Sequence, residues 1–320
     1  MVRILAHLLF WLALSGCSVN MVALRTTSEI LADATAEIET EENWQVFKDG
    51  VPAALKTIEG LAYLDPTNED LLVSLTKGYA AYGFGVYETL HLEEKFKDAD
   101  KTPYKRQAIY HYDKSISYGL RWLLSHGFEF AAFSKAAKAD QGLAYLDDIL
   151  DDDNQKHLEG VFFLGQSWLS YINLQRDQPA LFAQLYVVKN FFDWVCKAKP
   201  DFRFGACQAF YGAYALSRPK MLGGDPEKGA AIFAKAIKDY PKNLFLRVAF
   251  LEYYAIAAMD EDVYKVQKRY LLAALKKTQA AKVPARGPLS LESPEQTGQI
   301  YNAIALRRFK IIRQYEKELF

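Results

Sequence analysis

The sequence predicts an all-α protein, and three observations favour that class. Beyond residue 45, apolar residues recur at three- and four-residue spacing, which is the period of a helix that packs one face on a core. Gly and Pro divide these stretches into short loops. Alternating apolar and polar runs, which are typical of half-buried strands, are scarce. With 51% hydrophobic residues, the chain has enough apolar side chains for a large helical core.

The first segment, residues 1–16, has the features of a cleaved lipoprotein signal. Arg3 supplies a positive start, and the apolar run over residues 4–13 is too short to cross a bilayer, which takes about 20 residues. The run leads into Leu-Ser-Gly-Cys at residues 14–17, a sequence that resembles a bacterial lipobox. We therefore predict that Cys17 is the lipidated residue. An ordinary signal peptide with a chance cysteine is the alternative.

Lipidation predicts attachment to a membrane without a transmembrane helix, because the acyl chains supply the apolar contact. The predicted location is the periplasmic side of the cell envelope. In a Gram-negative host it is the outer membrane, since Ser18 rather than Asp follows the cysteine. Residues 17–45 are expected to form the lipid anchor and N-terminal segment, and residues 46–320 the helical domain.

The helical domain is predicted to be an array of helical hairpins that resembles tetratricopeptide repeats. A helix over residues 51–63 ends before an Asp-Pro pair, because Pro cannot continue it. Pro200 and Pro241 end two later hairpins and lie 41 positions apart (241 minus 200), against about 34 in a tetratricopeptide unit. An enlarged inter-helix loop at residues 218–225 accounts for the difference. A helical bundle without repeats is the alternative.

Four further segments complete the array. Residues 88–104 are charged and contain Pro103, which predicts a loop, and residues 105–125 have the pattern of an amphipathic helix. Residues 278–298 carry several prolines and predict a linker or surface loop. The final amphipathic helix, residues 295–319, is predicted to cap the array by docking back on it.

Charge and motifs argue against several classes of function. Lys plus Arg and Asp plus Glu both number 39, so the chain lacks the positive field of a nucleic-acid-binding protein. The sequence has no Gly-rich phosphate loop, no nucleophile elbow and no pair of histidines at metal-ligand spacing on one helix. We therefore expect no enzyme activity, no cofactor and no metal site. The acidic residues within 147–153 are expected to be a solvated helix end.

Two cysteines follow the predicted anchor, Cys196 and Cys207. Their separation of eleven residues would place them at similar heights across a hairpin that turns near Pro200. They could pair in an oxidising periplasm, whereas two buried free thiols are equally consistent with the sequence.

The loop at residues 218–225 is one candidate binding surface. Its cationic residues are expected to contact a partner protein or an anionic ligand group, and its apolar residues to add apolar contacts. The candidate residues are Arg218, Lys220, Met221, Leu222 and Asp225. The alternative is a stiff connector whose glycines form a tight turn, with Asp225 as the N-cap of the next helix.

A second candidate surface is the glycine-rich helix over residues 78–87. Glycines inside a helix cost about 1 kcal/mol each relative to Ala, so something must compensate for them. A ligand cavity lined by Tyr79, Tyr82 and Tyr87 would do so. Close packing of a neighbouring helix is the alternative.

The string Ser-Arg-Pro-Lys-Met-Leu-Gly-Gly-Asp-Pro-Glu-Lys at residues 217–228 resembles the signature loop of the T-component lipoproteins of TRAP transporters. Weaker matches accompany it in the Asp-Pro junction at residues 65–66, in the helix at residues 78–84 and at residues 302–308. Together with the lipobox, they extend the resemblance over essentially the whole chain after the signal.

This resemblance implies a tetratricopeptide-like periplasmic lipoprotein that associates as a homotrimer. The implied partner is a TRAP-type periplasmic solute-binding protein. The implied cargo is a hydrophobic small molecule that is bound or passed on for uptake. The alternative function is a generic tetratricopeptide scaffold lipoprotein for the assembly of envelope complexes.

Overall fold

The computed structural model describes residues 21–218, 220–280 and 298–320. Within these ranges all regular structure is helical and no strand occurs, so the predicted all-α class is confirmed. The predicted signal sequence, residues 1–16, and Cys17 lie outside the described residues.

The helices have the following bounds. In the first half of the chain they are α1 (21–34), α2 (Trp44–Leu64), α3 (Glu69–Tyr82), α4 (Thr89–Phe96), α5 (Pro103–Ser125), α6 (Phe130–Lys138), α7 (Gly142–Ile149) and α8 (Gln155–Leu174). In the second half they are α9 (Pro179–Phe182), α10 (Leu185–Ala198), α11 (Ala206–Leu216), α12 (Pro226–Asp239), α13 (Leu244–Phe250), α14 (Ile256–Ala258), α15 (Glu261–Ala280), α16 (Gln299–Gln314) and α17 (Glu316–Leu319). Short 3-10 turns occupy Thr35–Thr40, Phe202–Phe204 and Lys220–Leu222, and π-helical turns occupy Gly83–Glu88 and Leu251–Ala255.

Polar side chains mark the start of several helices by accepting a hydrogen bond from the first turn. The capping residues are Asn43, Asn68, Asn154, Asp225 and Asn243. Asp225 accepts from the backbone N–H of Lys228 at 2.9 Å, and Pro226 follows it as the first residue of α12. This is the capping arrangement that the sequence indicates at this position.

The longer helices pack against one another in the order in which they occur along the chain. Helix α2 packs on α3, α3 on α5, α5 on α8 and α8 on α10, and the series continues from α11 through α12 to α13. Packing between sequential neighbours is expected of helical hairpins. The repeat arrangement itself stays a prediction.

Helix α16, near the C-terminus, packs against both early and late helices of the chain. Its Ile304 belongs to a buried cluster with Phe47 and Leu55 of α2. Its Phe309 is completely buried in a second cluster with Val248 and Tyr264, from α13 and α15. The helix therefore docks back on the preceding helices, as the sequence predicts for this segment.

Two of the predicted boundaries are wrong. Residues 88–104 are not one loop, because α4 occupies Thr89–Phe96 and buries Leu92 and Glu94. The final helix begins at Gln299 rather than at residue 295. Most of the predicted linker, residues 281–297, lies outside the described residues.

The two π-helical turns, Gly83–Glu88 and Leu251–Ala255, each bring one glutamate to α16. Glu252 accepts hydrogen bonds from Nε and Nη2 of the buried Arg308, at 2.7 and 2.5 Å. Glu88 lies with its Oε1 3.9 Å from the same Nη2. Turns of this kind are rare in helices. Because both π turns contribute a glutamate to the same arginine of α16, we infer that they help to hold α16 in place.

Cys196 and Cys207 form a disulfide bond, with Cα atoms 5.7 Å apart. Of the two alternatives that the sequence left open, the structure has the paired state. The bond links α10 to α11 across the turn Phe202–Phe204.

Candidate functional site

A largely buried ionic cluster lies where five separate elements meet, and its charged side chains are 11–20% exposed. We call it the Arg203 cluster; its members are Glu39, Lys77, Glu159, Arg203 and Tyr301. They come from the 3-10 turn Thr35–Thr40, from α3, from α8, from the turn after α10 and from α16. No sequence spacing connects residues that lie this far apart in the chain.

The backbone at Arg203 adopts a conformation that L-residues rarely use. Arg203 has φ 47° and Phe204 has φ 54°, and Gly205 follows with φ 101°. A left-handed conformation costs a non-Gly residue about 1–2 kcal/mol. The disulfide and the packing around this turn hold it in place, and its conformation directs the Arg203 side chain inwards. Strain of this kind is characteristic of functional sites.

The guanidinium of Arg203 binds the carboxylate of Glu39 through its two terminal nitrogens, Nη1 and Nη2. Nη1 donates to Oε2 at 3.1 Å and Nη2 donates to Oε1 at 2.9 Å. Nη2 also donates to Oε1 of Glu159 at 2.6 Å, and Nη1 to the hydroxyl of Tyr301 at 2.8 Å. The Nε of Arg203 is buried and has no hydrogen-bond partner in the described part of the chain.

Lys77 is the second cation of the cluster. Its Nζ lies 2.6 Å from Oε1 of Glu39 and 3.0 Å from Oε2 of Glu159. Burial has the strongest influence on Glu39 and opposes its ionisation, but Arg203 and Lys77 together outweigh it and lower the pKa of Glu39 to about 2. The same two cations lower the pKa of Glu159 against the effect of burial. The positive charges of Lys77 and Arg203 thus balance the negative charges of Glu39 and Glu159.

An apolar cavity of about 60 Å³ adjoins the Arg203 cluster. Its walls come mainly from α2, α3 and α16, with Phe163 of α8, and most of the lining residues are Phe, Leu, Ile, Val or Ala. Thr35, Ser74 and Gln166 add polar groups to the lining. Lys77, Glu39 and Tyr301 of the cluster also line it. At Gly78 an added Cβ would come within 2.6 Å of a Leu55 methyl group, so this glycine allows α2 to approach closely.

The turn Thr35–Thr40, which we call the strap, covers this cavity. Thr35, Ile38 and Glu39 of the strap contribute to the cavity lining. The strap is fixed further by the backbone carbonyl of Glu39, which accepts from the N–H of Gly298 at 3.1 Å. The cavity therefore has a wall that belongs to the N-terminal segment rather than to the hairpins.

The three tyrosines of the glycine-rich segment do not contribute to the lining of this cavity. Tyr79 is buried and donates to Glu59 at 2.8 Å, and Tyr82 is buried and donates to the carbonyl of Lys48 at 2.9 Å. Tyr87 is half-buried and packs edge-on against Tyr82. A role of these tyrosines in binding stays a prediction. The cavity wall in this part of the chain is formed instead by Gly78, Ala81 and Phe84.

The residues of the loop at 218–225 divide into bracing and exposed ones. Arg218 stacks on the ring of Tyr214 at 3.8 Å and donates from Nη2 to the carbonyl of Gly223 at 2.8 Å. Asp225 caps α12. Lys220 is exposed and Met221 is 89% exposed. The side chain of Leu222 lies outside the described part of the structure. The loop is therefore held from within, and it presents Lys220 and Met221 to the solvent.

A second polar cluster joins Glu69 of α3, His126 directly after α5 and His157 of α8. A search for two histidines at metal-ligand spacing on one helix cannot find such a cluster. The backbone N–H of Asp151 donates to Nδ1 of His157 at 2.9 Å, so the proton of the neutral ring is on Nε2, which lies 3.1 Å from Oε1 of Glu69. The same oxygen accepts from Nε1 of Trp122 at 3.2 Å. The hydrogen bond from His157 contributes most to lowering the pKa of Glu69 to about 2.

These contacts are those of a hydrogen-bonded cluster rather than of a cation site. A metal at Nε2 of His157 would need the lone pair that the neutral ring does not have there. The facing oxygen of Glu69 is already occupied by N–H donors. The described residues therefore give the cluster a structural role at the junction of α3, α5 and α8.

The family model described as TRAP transporter T-component matches residues 40–286, well over half of the chain. The chain belongs to this family. The chain therefore has a role in TRAP transport. The family consists of transporter components and is not a class of enzymes. No curated protein matches the chain. Among the described helices, none is long and apolar enough to cross a membrane.

The matched range of the T-component family contains Lys77, Glu159 and Arg203 of the cluster and the whole loop at 218–225. Glu39 lies immediately before it. Sequence reasoning missed the cluster as a site. The signal available for it was Phe-Arg-Phe-Gly at residues 202–205, in which a cation stands between two aromatic residues and a glycine follows the second.

Proposed function

We propose that this T-component is a lipid-anchored periplasmic protein that holds a hydrophobic ligand and docks a TRAP-type solute-binding protein. The observation that carries the proposal is the apolar cavity between α2, α3 and α16. Ligand sites typically combine an apolar lining with a few placed polar groups, and the Arg203 cluster supplies such groups at one end. The exposed tip of the loop at 218–225 is the proposed contact for the partner.

Native mass spectrometry of the purified chain tests the ligand site. We expect an apolar molecule to co-purify with the native chain and to be lost from Ala81→Phe, which places a ring in the cavity wall. Ala132→Phe, on the exposed surface of α6, is the matched control and is expected to keep the molecule. Equal retention by both variants would contradict the cavity assignment.

Binding of the solute-binding protein tests the loop. Met221→Asp is expected to weaken binding by roughly 10- to 100-fold, because a Met side chain contributes about 1.5–3 kcal/mol when it is buried at an interface. Met259→Asp is the matched control, since Met259 is also an exposed methionine at 75%. A loss of the same size in both variants, or in neither, would reject the loop as the contact. Recovery of envelope-assembly proteins instead of a solute-binding protein would favour the scaffold function.

The anchor and the assembly need separate measurements. Cys17→Ser is expected to move the chain from the membrane fraction to the aqueous fraction, because acylation supplies the membrane contact. Retention of the variant in the membrane would contradict lipidation at this residue. The proposed homotrimer is tested by the mass of the intact assembly at several protein concentrations, and a monomer throughout would contradict it.

A further inference from the structure

We propose that the ligand of this cavity is an apolar chain with a carboxylate at one end, and that Glu39 of the strap occupies the carboxylate site when the ligand is absent. This inference rests on the proposed function, since it requires that the cavity binds an apolar ligand. It adds the chemical class of the polar end and identifies the residues that recognise it.

The carboxylate of Glu39 receives the contacts that a bound carboxylate needs. Arg203 donates to both of its oxygens, at 3.1 and 2.9 Å, and Nζ of Lys77 lies 2.6 Å from Oε1. A forked arginine with a second cation is a typical arrangement for recognising a carboxylate. Both cations belong to the helical body, whereas the carboxylate belongs to the strap. A ligand carboxylate could therefore replace that of Glu39 without displacement of either cation.

Two features of Arg203 are unexplained by the contact with Glu39 alone. Its Nε is buried without a hydrogen-bond partner in the described part of the chain, and its backbone is left-handed at φ 47°. Buried donors without partners are rare and costly. Unpartnered buried donors and backbone strain of this kind are typical of functional sites. The strained turn is then the cost of presenting the guanidinium to a ligand.

Charge balance selects the polar end of the ligand. When Glu39 leaves, Lys77 and Arg203 face Glu159 alone, so the largely buried cluster carries one excess positive charge. Buried charge without a partner is strongly unfavourable. A carboxylate restores neutrality, whereas an alcohol or a hydrocarbon of the same length does not. The site is therefore selective for the acid over the alcohol.

The carboxylate site opens directly into the apolar space. Glu39, Lys77 and Tyr301 belong both to the cluster and to the cavity lining. With the strap in place, the cavity measures about 60 Å³, well below the ~300–1,000 Å³ of typical ligand sites. Thr35 and Ile38 of the strap close one wall. Withdrawal of the strap thus frees the cations and enlarges the space for the apolar chain in one movement.

The test compares dodecanoate with dodecanol, two probes that share a twelve-carbon chain and differ in the polar end. Calorimetry uses the full chain carrying Cys17→Ser, which removes the acylation site and lets binding be measured without detergent. The native strap is compared with Glu39→Gln, in which the competing carboxylate is gone. Glu37→Gln is the matched control, because Glu37 lies on the same turn and is exposed.

We expect Glu39→Gln to bind dodecanoate at least about tenfold more tightly than the native strap does, the size of one charge-assisted hydrogen bond. Glu37→Gln is expected to leave both affinities unchanged, and dodecanoate is expected to bind more tightly than dodecanol in every variant. Equal affinities for acid and alcohol, in the native strap and in Glu39→Gln, would overturn the carboxylate inference and leave the apolar cavity standing. Binding of neither probe by any chain would overturn the proposed ligand site itself.

A measurement on the native strap covers the case in which Glu39→Gln does not fold. Dodecanoate labelled with ¹³C at its carboxyl group reports its own titration when bound. Beside Arg203 and Lys77, its pKa is expected to lie at least one unit below that of free dodecanoate. An unshifted titration of the bound acid would overturn the inference.

Discussion

Reduction of the disulfide between Cys196 and Cys207 is expected to lower the free energy of unfolding by about 3 kcal/mol. The bond closes a loop with a sequence separation of 11 residues. In the chain-entropy account, a loop of this length removes roughly 9 cal/mol/K from the unfolded chain, which is about 3 kcal/mol at 25 °C. The thiols left by reduction are both buried, so no new contact with water offsets the loss.

Urea unfolding of the oxidised and the reduced native chain measures this difference. At a slope of about 2–3 kcal/mol per molar urea, the midpoint of the reduced chain should fall by about 1 M. The double variant Cys196→Ala/Cys207→Ala is the control, and its midpoint should not respond to the reductant. Coincident midpoints for the oxidised and reduced native chain would refute the stabilising role of the bond.

Three further perturbations give distinct outcomes. The folded state lowers the pKa of Glu39 from 4.5 to about 2, so its contribution to stability is complete above pH about 4.5 and is lost as the pH falls towards 2. Urea unfolding should find Glu39→Gln about 3 kcal/mol less stable at pH 7 and closer to the native chain at pH 3.5, and a deficit independent of pH would contradict this. Gly160→Ala would place a Cβ 2.6 Å from the buried ring of Trp122, and thermal melting should show a loss of about 1–3 kcal/mol. Gly60→Ala meets nothing within 4 Å and should gain up to about 1 kcal/mol, so equal effects of the two would be a contradiction. Arg308→Met leaves the half-buried Glu88 and Glu252 without their cation and should cost about 3–5 kcal/mol in urea unfolding, whereas a loss below 1 kcal/mol would show that the ion pair adds little.

Local physics made much of the fold predictable from the sequence. Apolar spacing predicts the helices, and the Asp-Pro pair at residues 225–226 predicts where α12 begins, because both effects act within one turn of the chain. The error at α4 has an equally local cause. The π turn at Gly83–Glu88 carries the helix onwards, and the many charged residues of α4 gave its sequence the appearance of a loop.

The candidate site could not be predicted in the same way. Glu39, Lys77, Glu159, Arg203 and Tyr301 meet through tertiary packing, and each of them reads as an ordinary surface or helix residue within its own segment. The pairing of Cys196 with Cys207 was open for a related reason, since spacing allows a disulfide but does not fix the two Cα atoms 5.7 Å apart. The partners of a residue across the core are set by the fold as a whole.

The π turns also restrict how the length of this chain can change. Each holds one residue more than an α-helical turn would, so everything that follows is rotated by about 100°. Deletion of one residue within Gly83–Glu88 would leave a regular helix, but it would swing the buried Leu92 towards water and the exposed face of α4 towards the core. A relative that lacks this extra residue must therefore differ along the whole of α4. Alignments with such a relative should place a single-residue gap at this π turn.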